Sequence, residues 1–376
     1  MKHFIALLAC ALVGPTVRGQ SIPIQNASFE SPPTAPGTFI TNAQPPGWLA
    51  YGPLNFGART IGVVNPSSTN LYAVPPPHGA NVGVTFLLDD FANQTVFAGI
   101  EAGLQQTLPA ALEPAMRYTL TVHVGNMATD PNPPHNQFLF TGFPGYRVEL
   151  GAAAAAIAID ANSLLPGEGQ FQLSTVHFDV GATHANLGQQ LAIRLVNLNA
   201  APGIEVNFDD VQLVATDLSI GTVRCAGDGT GTACPCSNSG AVGAGCASSA
   251  FVAGARLAAV GTASVAADTV VLAGTRMPNS SALYFQGTAS AASGAGSTFG
   301  DGLRCASGAV IRLATKTNAS ASSSYPEPGD APISVRGAIP VGGGTRTYQV
   351  WYRNAAAFCT VSTFNLSNGL EIAWGA

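Results

Sequence analysis

Two adjacent carboxylates, Asp209 and Asp210, stand inside the run VNFDDVQLVA, whose other residues are mostly β-formers. Because neighbouring side chains of a strand point to opposite faces, one of the two must face the interior side of its sheet. A buried carboxylate is costly unless it is paired or bound to a metal. This pair therefore raises the question of what compensates the buried charge.

A third carboxylate, Glu30, stands in the segment NASFE, which we predict to be strand. If the first and last strands of a sandwich pair, Glu30 lies close to Asp209 or Asp210, and the charges repel unless a cation separates them. Ca²⁺ fits best, because it takes six to eight oxygen ligands and accepts backbone carbonyls. The alternative is that Glu30 caps a turn while the aspartate pair lies at an exposed strand end.

The sequence carries none of the short motifs of the common enzyme classes: GxSxG, HExxH, the Walker loop and the dinucleotide fingerprint are all absent. Asp89 and Asp90 are neighbours and diverge if they lie in a strand, whereas a glycosidase needs two carboxylates across a cleft. His123 and His177 each lie in an alternating strand, where a structural role is typical. We therefore predict a protein without catalytic activity.

The elements that position these residues are predicted to be short strands separated by Pro/Gly turns, without amphipathic helices. In YTLTVHV, for example, Tyr118, Leu120, Val122 and Val124 share one face. This spacing is typical of a two-sheet sandwich or jelly roll. The strands are predicted at 80–88, 103–108, 117–126, 145–152, 171–180, 190–198 and 206–215.

The predicted domains follow from composition. Lys2 and the apolar run 4–14 indicate a secretory signal peptide over 1–19, with a lipoprotein anchored at Cys10 as the alternative. A jelly roll over 20–216 is followed by a Cys/Gly-rich connector over 217–247 and a smaller β-sandwich over 248–376. The fold class is thus all-β: a jelly-roll β-sandwich followed by a smaller disulfide-containing β-sandwich.

Charge divides unevenly between these regions. Residues 20–216 contain 13 acidic and 4 basic residues, whereas residues 217–376 contain 7 acidic and 9 basic residues. Because no strongly basic patch exists, we expect no nucleic-acid partner. An acidic domain suits bound cations or neutral ligands.

Six cysteines follow the signal segment, and an even number in an exported chain predicts three disulfides. A zinc site built on CPC is the alternative, but a second CxxC is absent. The connector is expected to be stapled by its own cysteines, which leaves the last two to bridge elements of the second sandwich. The six are Cys225, Cys234, Cys236, Cys246, Cys305 and Cys359.

Three segments, PIQNASFESPP…GW, GLQQTL…RYTLTVHVGN and VNFDDVQL, resemble carbohydrate-binding modules of the galactose-binding-like jelly-roll group. The resemblance implies a structural calcium held by Glu30 and Asp209, with Asp210 as the alternate ligand. It also implies a sugar site, since such modules stack aromatic rings on pyranoses. The aromatic candidates in predicted loops are Trp48, Tyr51, Phe56 and Tyr72; the family often buries the residue equivalent to Trp48.

The segment from FGDGLRC to STFNLSNGLEIAW resembles a C-terminal module of exported bacterial proteins, which implies sorting or surface attachment. We therefore predict a secreted or cell-surface bacterial protein that binds an extracellular polysaccharide or glycan and does not span a membrane. The alternatives are a structural or adhesive surface protein without a sugar ligand and a hydrolase without a recognisable motif.

Overall fold

The computed structural model describes residues 19–54, 59–88, 100–200 and 202–376. In this part of the chain the regular structure is almost entirely β-strand, so the predicted all-β fold class is confirmed. Asp89, Asp90, Phe56 and the predicted signal residues 1–18 lie outside the described residues. The first twelve strands are β1 (Gln20–Ile22), β2 (Phe39–Thr41), β3 (Leu49–Tyr51), β4 (Arg59–Val64), β5 (Val82–Leu87), β6 (Ala102–Ala111), β7 (Met116–Asn126), β8 (Tyr146–Ala152), β9 (Ala155–Ala161), β10 (Gln170–Asp179), β11 (Gln190–Asn197) and β12 (Glu205–Asp217).

These strands form two antiparallel sheets that pack face to face. One sheet has seven strands in the order β10-β7-β12-β5-β4-β2, with β1 paired to β12, and the other has five in the order β3-β6-β11-β8-β9. Their inner faces enclose one apolar core. The first and last strands of this sandwich therefore pair, as the sequence suggested.

The alternation read in β7 is what places that strand in the sandwich. Tyr118, Leu120, Val122 and Val124 all point into the core and are at most 2% exposed. The residues between them face outward, and burial of this one apolar row fixes the register of β7 against β10 and β12.

Two local features depart from the sequence expectation. Glu30 does not lie in a strand: β1 ends at Ile22, and a turn over 25–28 leads into a loop that contains Glu30. Strand β12 does contain the predicted run, but its pairing with β7 shifts between Asp209 and Gln212, and Asp210 has a left-handed backbone with φ 48°. This bulge turns Asp210 toward His123 on the outer face, where Asp209 also lies, so the expectation that one aspartate points into the interior was wrong.

The second part of the chain builds a smaller sandwich. A six-stranded sheet has the order β13-β23-β21-β16-β19, with β22 on β21, and faces a three-stranded sheet in the order β14-β15-β20 across a second core. The strands are β13 (Thr222–Arg224), β14 (Arg256–Val260), β15 (Val271–Thr275), β16 (Ser281–Ser290), β17 (Ser297–Phe299), β18 (Gly302–Arg304), β19 (Ala306–Thr317), β20 (Ser322–Tyr325), β21 (Gly344–Arg353), β22 (Phe364–Leu366) and β23 (Gly369–Trp374). Helical structure is limited to α1 (Ile333–Arg336) and two 3-10 turns, His135–Gln137 and Ala291–Gly294.

Three disulfides are present, as the cysteine count predicted. They join Cys225 to Cys305, Cys234 to Cys246, and Cys236 to Cys359. The expected pairing of the last two cysteines with each other was wrong. Only one bridge closes within the connector; the other two tie it to Cys305, between β18 and β19, and to Cys359, in the loop between β21 and β22.

The two sandwiches touch through a small charged contact. Glu113 forms an ion pair with Arg276, with Oε1 3.3 Å from Nε. Arg256 forms an ion pair with Asp217 at 2.8 Å and donates to the Pro114 carbonyl at 3.1 Å. The predicted domain boundaries stay a prediction. None of the helices in the described part of the chain has the length and apolarity that a membrane crossing requires.

Candidate functional site

Three polar side chains follow one another on the outer face of the seven-stranded sheet. Glu205, Asn207 and Asp209 alternate along β12, whereas Val206 and Phe208 between them point into the core. All three polar residues are buried, because the segments 66–80 and 127–144 cover this end of the sheet. A buried polar row of this kind must be satisfied by its surroundings or reserved for chemistry.

Glu205 lines a cavity of about 230 Å³ on this face. Phe86 on β5 pairs with Glu205 on β12 and with Thr60 on β4, so the three side chains lie on the same face of the sheet. Strands β4 and β5 therefore form the cavity floor beside Glu205. Its lining is Phe39, Thr41, Asn42, Thr60, Val64, Val84, Phe86, Met127, His135, Gln137, Phe138, Phe140 and Glu205. Among these lining residues, Glu205 is the only carboxylic acid.

Aromatic rings form much of the cavity wall. The rings of Phe86 and Phe138 meet edge to face at 5.2 Å, and Phe138 contacts Phe140 at 5.8 Å. On the opposite side Phe39 lies 5.6 Å from the ring of His135, whose Nε2 lies 3.1 Å from the Gly37 carbonyl oxygen. The cavity therefore combines an apolar, aromatic surround with one carboxylic acid and one imidazole.

Burial dominates the electrostatics of Glu205. Loss of water raises the pKa of its carboxyl from 4.5 to about 7, and the hydrogen bond from Asn207 opposes that rise. Among the described residues no cation pairs with it. Near neutral pH the carboxyl is thus about half protonated and able to donate a proton.

Asn207 and Tyr72 hold the Glu205 carboxyl in place. Asn207 Nδ2 donates to Glu205 Oε1 at 2.7 Å and to the Gly83 carbonyl at 3.2 Å. The Tyr72 hydroxyl donates to Asn207 Oδ1 at 2.6 Å, so the orientation of the amide is fixed. Because Oε1 accepts this hydrogen bond, the acidic proton of Glu205 belongs on Oε2.

Glu30 and Asp209 lie at the next position along the row. Glu30 Oε1 accepts the backbone N–H groups of Ala80 and Asn81, each at 2.9 Å. Asp209 Oδ2 accepts the N–H of His78 at 2.9 Å. Burial raises the pKa of Asp209 to about 7, and the charges of Asp210 and Glu30 add to the rise.

The residues around these two carboxylates fit a cation. The Asn81 side-chain oxygen is buried and has no hydrogen-bond partner among the described residues. Gly79 has φ 69°, and a Cβ there would overlap the Glu30 carboxylate, so the backbone approaches closely. The described part of the chain contains no group of three or more His, Cys, Asp or Glu residues that could hold a metal. Carboxylate, amide and carbonyl oxygens are instead the donor set that calcium accepts.

The other residues singled out in the sequence have varied positions. Asp210 is partly exposed, with Oδ2 3.5 Å from His123 Nδ1. Trp48 is buried, stacks on Phe29 at 5.3 Å and donates from Nε1 to the Asn26 carbonyl. Tyr51 lies under the Arg194 guanidinium at 5.2 Å.

Tyr72 was expected as a surface ring for stacking on sugars. In the structure its ring stacks on Phe171 at 4.2 Å and its hydroxyl points inward to Asn207. The structure thus brings Tyr72 together with Asp209 on one face of β12, while Trp48 and Tyr51 lie apart from them. Sequence reasoning missed Glu205, which immediately precedes the run VNFDDVQLVA, although the alternation Glu205–Asn207–Asp209 beside an apolar row is visible in the sequence.

Comparisons with known proteins point to an enzyme. Residues 20–214 match the family HpiC1-like, described as HpiC1 cyclase. A Stig cyclase, Fisc, from Fischerella sp. TAU, solved with (3Z)-3-(1-methyl-2-pyrrolidinylidene)-3H-indole, is 35% identical; the match covers 53% of this chain and 99% of that chain, with a TM-score of 0.47. A cyclase from the same organism, solved with 4-(1H-indol-3-yl)butan-2-one, is 36% identical over 53% of this chain and 98% of that chain, with a TM-score of 0.47.

A xylan-binding domain, CBM22-1 of Xyn10C from Paenibacillus barcinonensis, is also similar, at 12% identity over 54% of this chain and 96% of that chain, with a TM-score of 0.30. A similarity this low carries no function over. No curated protein matches the chain.

These findings correct two predictions. The chain was expected to be non-catalytic and to bind carbohydrate, and the match of residues 20–214 to the cyclase family overturns both expectations. The jelly-roll fold expected from the carbohydrate-binding resemblance is right, but the family is a different one. The absence of short catalytic motifs misled the prediction, because the motifs sought belong to other enzyme classes and their absence does not exclude catalysis.

Proposed function

The chain belongs to the HpiC1-like cyclase family, and from this we propose that its first sandwich is a cyclase whose active site is the cavity around Glu205. The observation that carries the proposal is a carboxyl held partly protonated near neutral pH by burial in an aromatic cavity. The cavity supplies a proton donor, ring faces and exclusion of water, which are the requirements of acid-initiated ring closure.

The proposed step is an isomerisation in which no group is oxidised or reduced. Glu205 Oε2 gives its proton to a π bond of the substrate, which leaves positive charge on carbon. A second π bond of the same molecule attacks that carbon, the new carbon–carbon bond closes the ring, and loss of a proton restores the carboxyl. The faces of Phe86 and Phe138 stabilise the intermediate cation.

We propose an uncharged, indole-bearing substrate. The Fischerella cyclases were solved with indole compounds, and a cavity lined by four phenylalanines suits a flat aromatic ring system. A charged substrate is disfavoured because, apart from Glu205 and His135, the lining carries no ionisable side chain.

Two measurements on the full chain test the proposal. Calorimetric titration with 4-(1H-indol-3-yl)butan-2-one should show binding that Phe138→Ala weakens about tenfold and Glu205→Gln leaves within about twofold. Incubation with a panel of indole-bearing dienes should give products of unchanged mass and altered chromatographic retention time. Glu205→Gln should lower the rate of product formation at least about 100-fold. Equal rates in Glu205→Gln and the parent would refute the role of Glu205, and the absence of any isomerised product would refute the cyclase assignment.

We also propose a structural Ca²⁺ held by Glu30, Asp209 and neighbouring oxygens such as Asn81 Oδ1. The support is two carboxylates whose charges influence each other, neither with a cationic partner among the described residues, and the unpartnered buried side-chain oxygen of Asn81, whose backbone N–H binds Glu30. EDTA should lower the melting temperature of the full chain, Ca²⁺ should restore it, and Glu30→Gln should abolish the response. Asp210→Asn is the matched control, because Asp210 instead contacts His123 and Gln212. An EDTA response that persists in Glu30→Gln would place the cation elsewhere.

Secretion and a sorting role of the second sandwich stay proposals. The three disulfides, which form and persist in oxidising compartments, support secretion, whereas the sorting role rests on the resemblance of the second sandwich to a C-terminal module of exported proteins. Sequencing of the N-terminus of protein recovered from culture supernatant tests secretion, and an intact Met1 on cell-retained protein would overturn it.

A further inference from the structure

The second sandwich has an apolar groove on the outer face of its six-stranded sheet. Tyr284 on β16 points into the core, whereas its neighbours Leu283 and Phe285 point outward. Leu283 is paired with Trp351 of β21, and Trp351 is paired with Leu366 of β22, so these side chains form a continuous floor. The groove has a volume of about 430 Å³.

Phe299 and Trp351 line this groove, and Phe364 packs against both rings; we call Phe299, Phe364 and Trp351 the aromatic row. Phe364 lies between the other two, 5.0 Å from the ring of Phe299 and 5.4 Å from that of Trp351. Phe299 is 44% exposed and the other two rings are half-buried. Trp48 and Trp374 are buried, so Trp351 is the tryptophan whose ring solvent can reach.

The groove is cationic as well as aromatic. Arg304 and Arg312 belong to its lining, which contains no Asp or Glu. Arg304 uses Nε to donate to the Ala306 carbonyl at 3.2 Å, which leaves its terminal nitrogens for another partner. Arg312 is exposed, and among the described residues it makes no ion pair. Arg353, two residues after Trp351 on β21, lies on the same face.

We propose that this groove binds a small aromatic anion, a flat ring system that carries one carboxylate or sulfonate. The aromatic row offers ring faces for stacking, and two guanidinium groups without acidic neighbours in the lining complement a single planar anion. A neutral ring would leave the arginines unused, and a cationic ring would be repelled by them. This site lies in the second sandwich, outside the segment that matches the cyclase family, and does not depend on the function proposed for the first.

The test uses three probes of one shape on the full chain: 2-naphthoate, 2-naphthylmethanol and 2-naphthylmethylamine, which are anionic, neutral and cationic at pH 7. We expect 2-naphthoate to bind at least about tenfold more tightly than the amine and to quench Trp351 fluorescence. Arg312→Gln and Trp351→Leu should each weaken the anion about tenfold, and Arg312→Lys should retain part of the affinity. Arg346→Gln, which removes the same charge from the far end of β21, is the matched control and should leave the affinity within about twofold.

Three outcomes would overturn the proposal. Equal affinity for all three probes would identify a plain hydrophobic patch. Binding of 2-naphthoate that survives both Arg312→Gln and Trp351→Leu would place the site elsewhere, for example in the cavity of the first sandwich. A dimer in sedimentation that dissociates on Trp351→Asp and excludes 2-naphthoate would make the groove a contact between copies of the chain.

Discussion

Replacing Glu205 by glutamine should stabilise the protein at alkaline pH, although it removes the proposed proton donor. Burial raises the pKa of Glu205 from an ordinary value of 4.5 to about 7, so its ionised form is disfavoured in the folded state. Each factor of ten in proton affinity is worth about 1.4 kcal/mol, and ionising the buried carboxyl therefore costs about 3 kcal/mol. Glutamine keeps the shape and can accept the same hydrogen bond from Asn207 without carrying charge.

The sign follows from the direction of the pKa change. A group whose folded pKa is raised contributes stability below its unfolded pKa and loses it as the pH rises through the folded value. The glutamine variant should thus gain about 1 kcal/mol over the parent at pH 5 and about 3 kcal/mol at pH 8. For a sandwich of this size the gain at pH 8 corresponds to roughly 6–12 °C in the melting transition, against roughly 2–4 °C at pH 5.

Differential scanning calorimetry of the full chain at both pH values, at one fixed calcium concentration, measures this effect. Glu168→Gln removes the same charge from an exposed site and is the matched control. The reasoning would be refuted by a gain that is the same at pH 5 and pH 8, or by a glutamine variant that is no more stable than the parent at pH 8.

Three further predictions concern other parts of the molecule. Tyr72→Phe leaves Asn207 Oδ1 without its donor; chemical denaturation should show a loss of about 1–3 kcal/mol, and an unchanged midpoint would contradict the buried hydrogen bond. Glu113→Gln removes the ion pair to Arg276 between the sandwiches. The free energy of unfolding measured from the first calorimetric transition should fall by about 1 kcal/mol, whereas an unchanged value would show that the contact contributes nothing. Limited reduction should open Cys236–Cys359 before Cys225–Cys305, since Cys236 is exposed and the other pair is buried; alkylation and mass spectrometry read out the order, and the reverse order would contradict this.

The fold was predictable because each strand carries its own evidence. In β7 the alternation of Tyr118, Leu120, Val122 and Val124 specifies both the strand and the face that it buries. The run around Asp209 likewise indicates β12, and the number of cysteines indicates three bridges. Glu30 was misplaced in a strand because the neighbouring Phe29 is a β-former, although Asn26, with a left-handed backbone of φ 51°, is a turn-forming residue.

The candidate active site was not predictable by the same means. Its walls come from β2, β4, β5, β12 and the segment 135–140, which are far apart in sequence and meet only through sheet register. Neither Phe86 nor Phe138 differs locally from a core phenylalanine. The polar alternation of Glu205 and Asn207 was the available signal, but the adjacent Asp209 and Asp210 are the more conspicuous carboxylates in this part of the sequence. The disulfide connectivity likewise depends on contacts between distant segments that spacing alone does not specify.

The arrangement of the disulfides has a consequence for how the chain matures during synthesis. Cys236 must wait for Cys359, 123 residues later, and Cys225 must wait for Cys305, 80 residues later. By contrast, the first sandwich is complete at Asp217, before any of these six cysteines has been made. The first sandwich can therefore reach its final form while the connector still carries free thiols. In ribosome-bound chains arrested after the connector, we expect the first sandwich to be folded and Cys225 and Cys236 to be still unpaired. Maturation therefore proceeds from the first sandwich to the disulfides of the second.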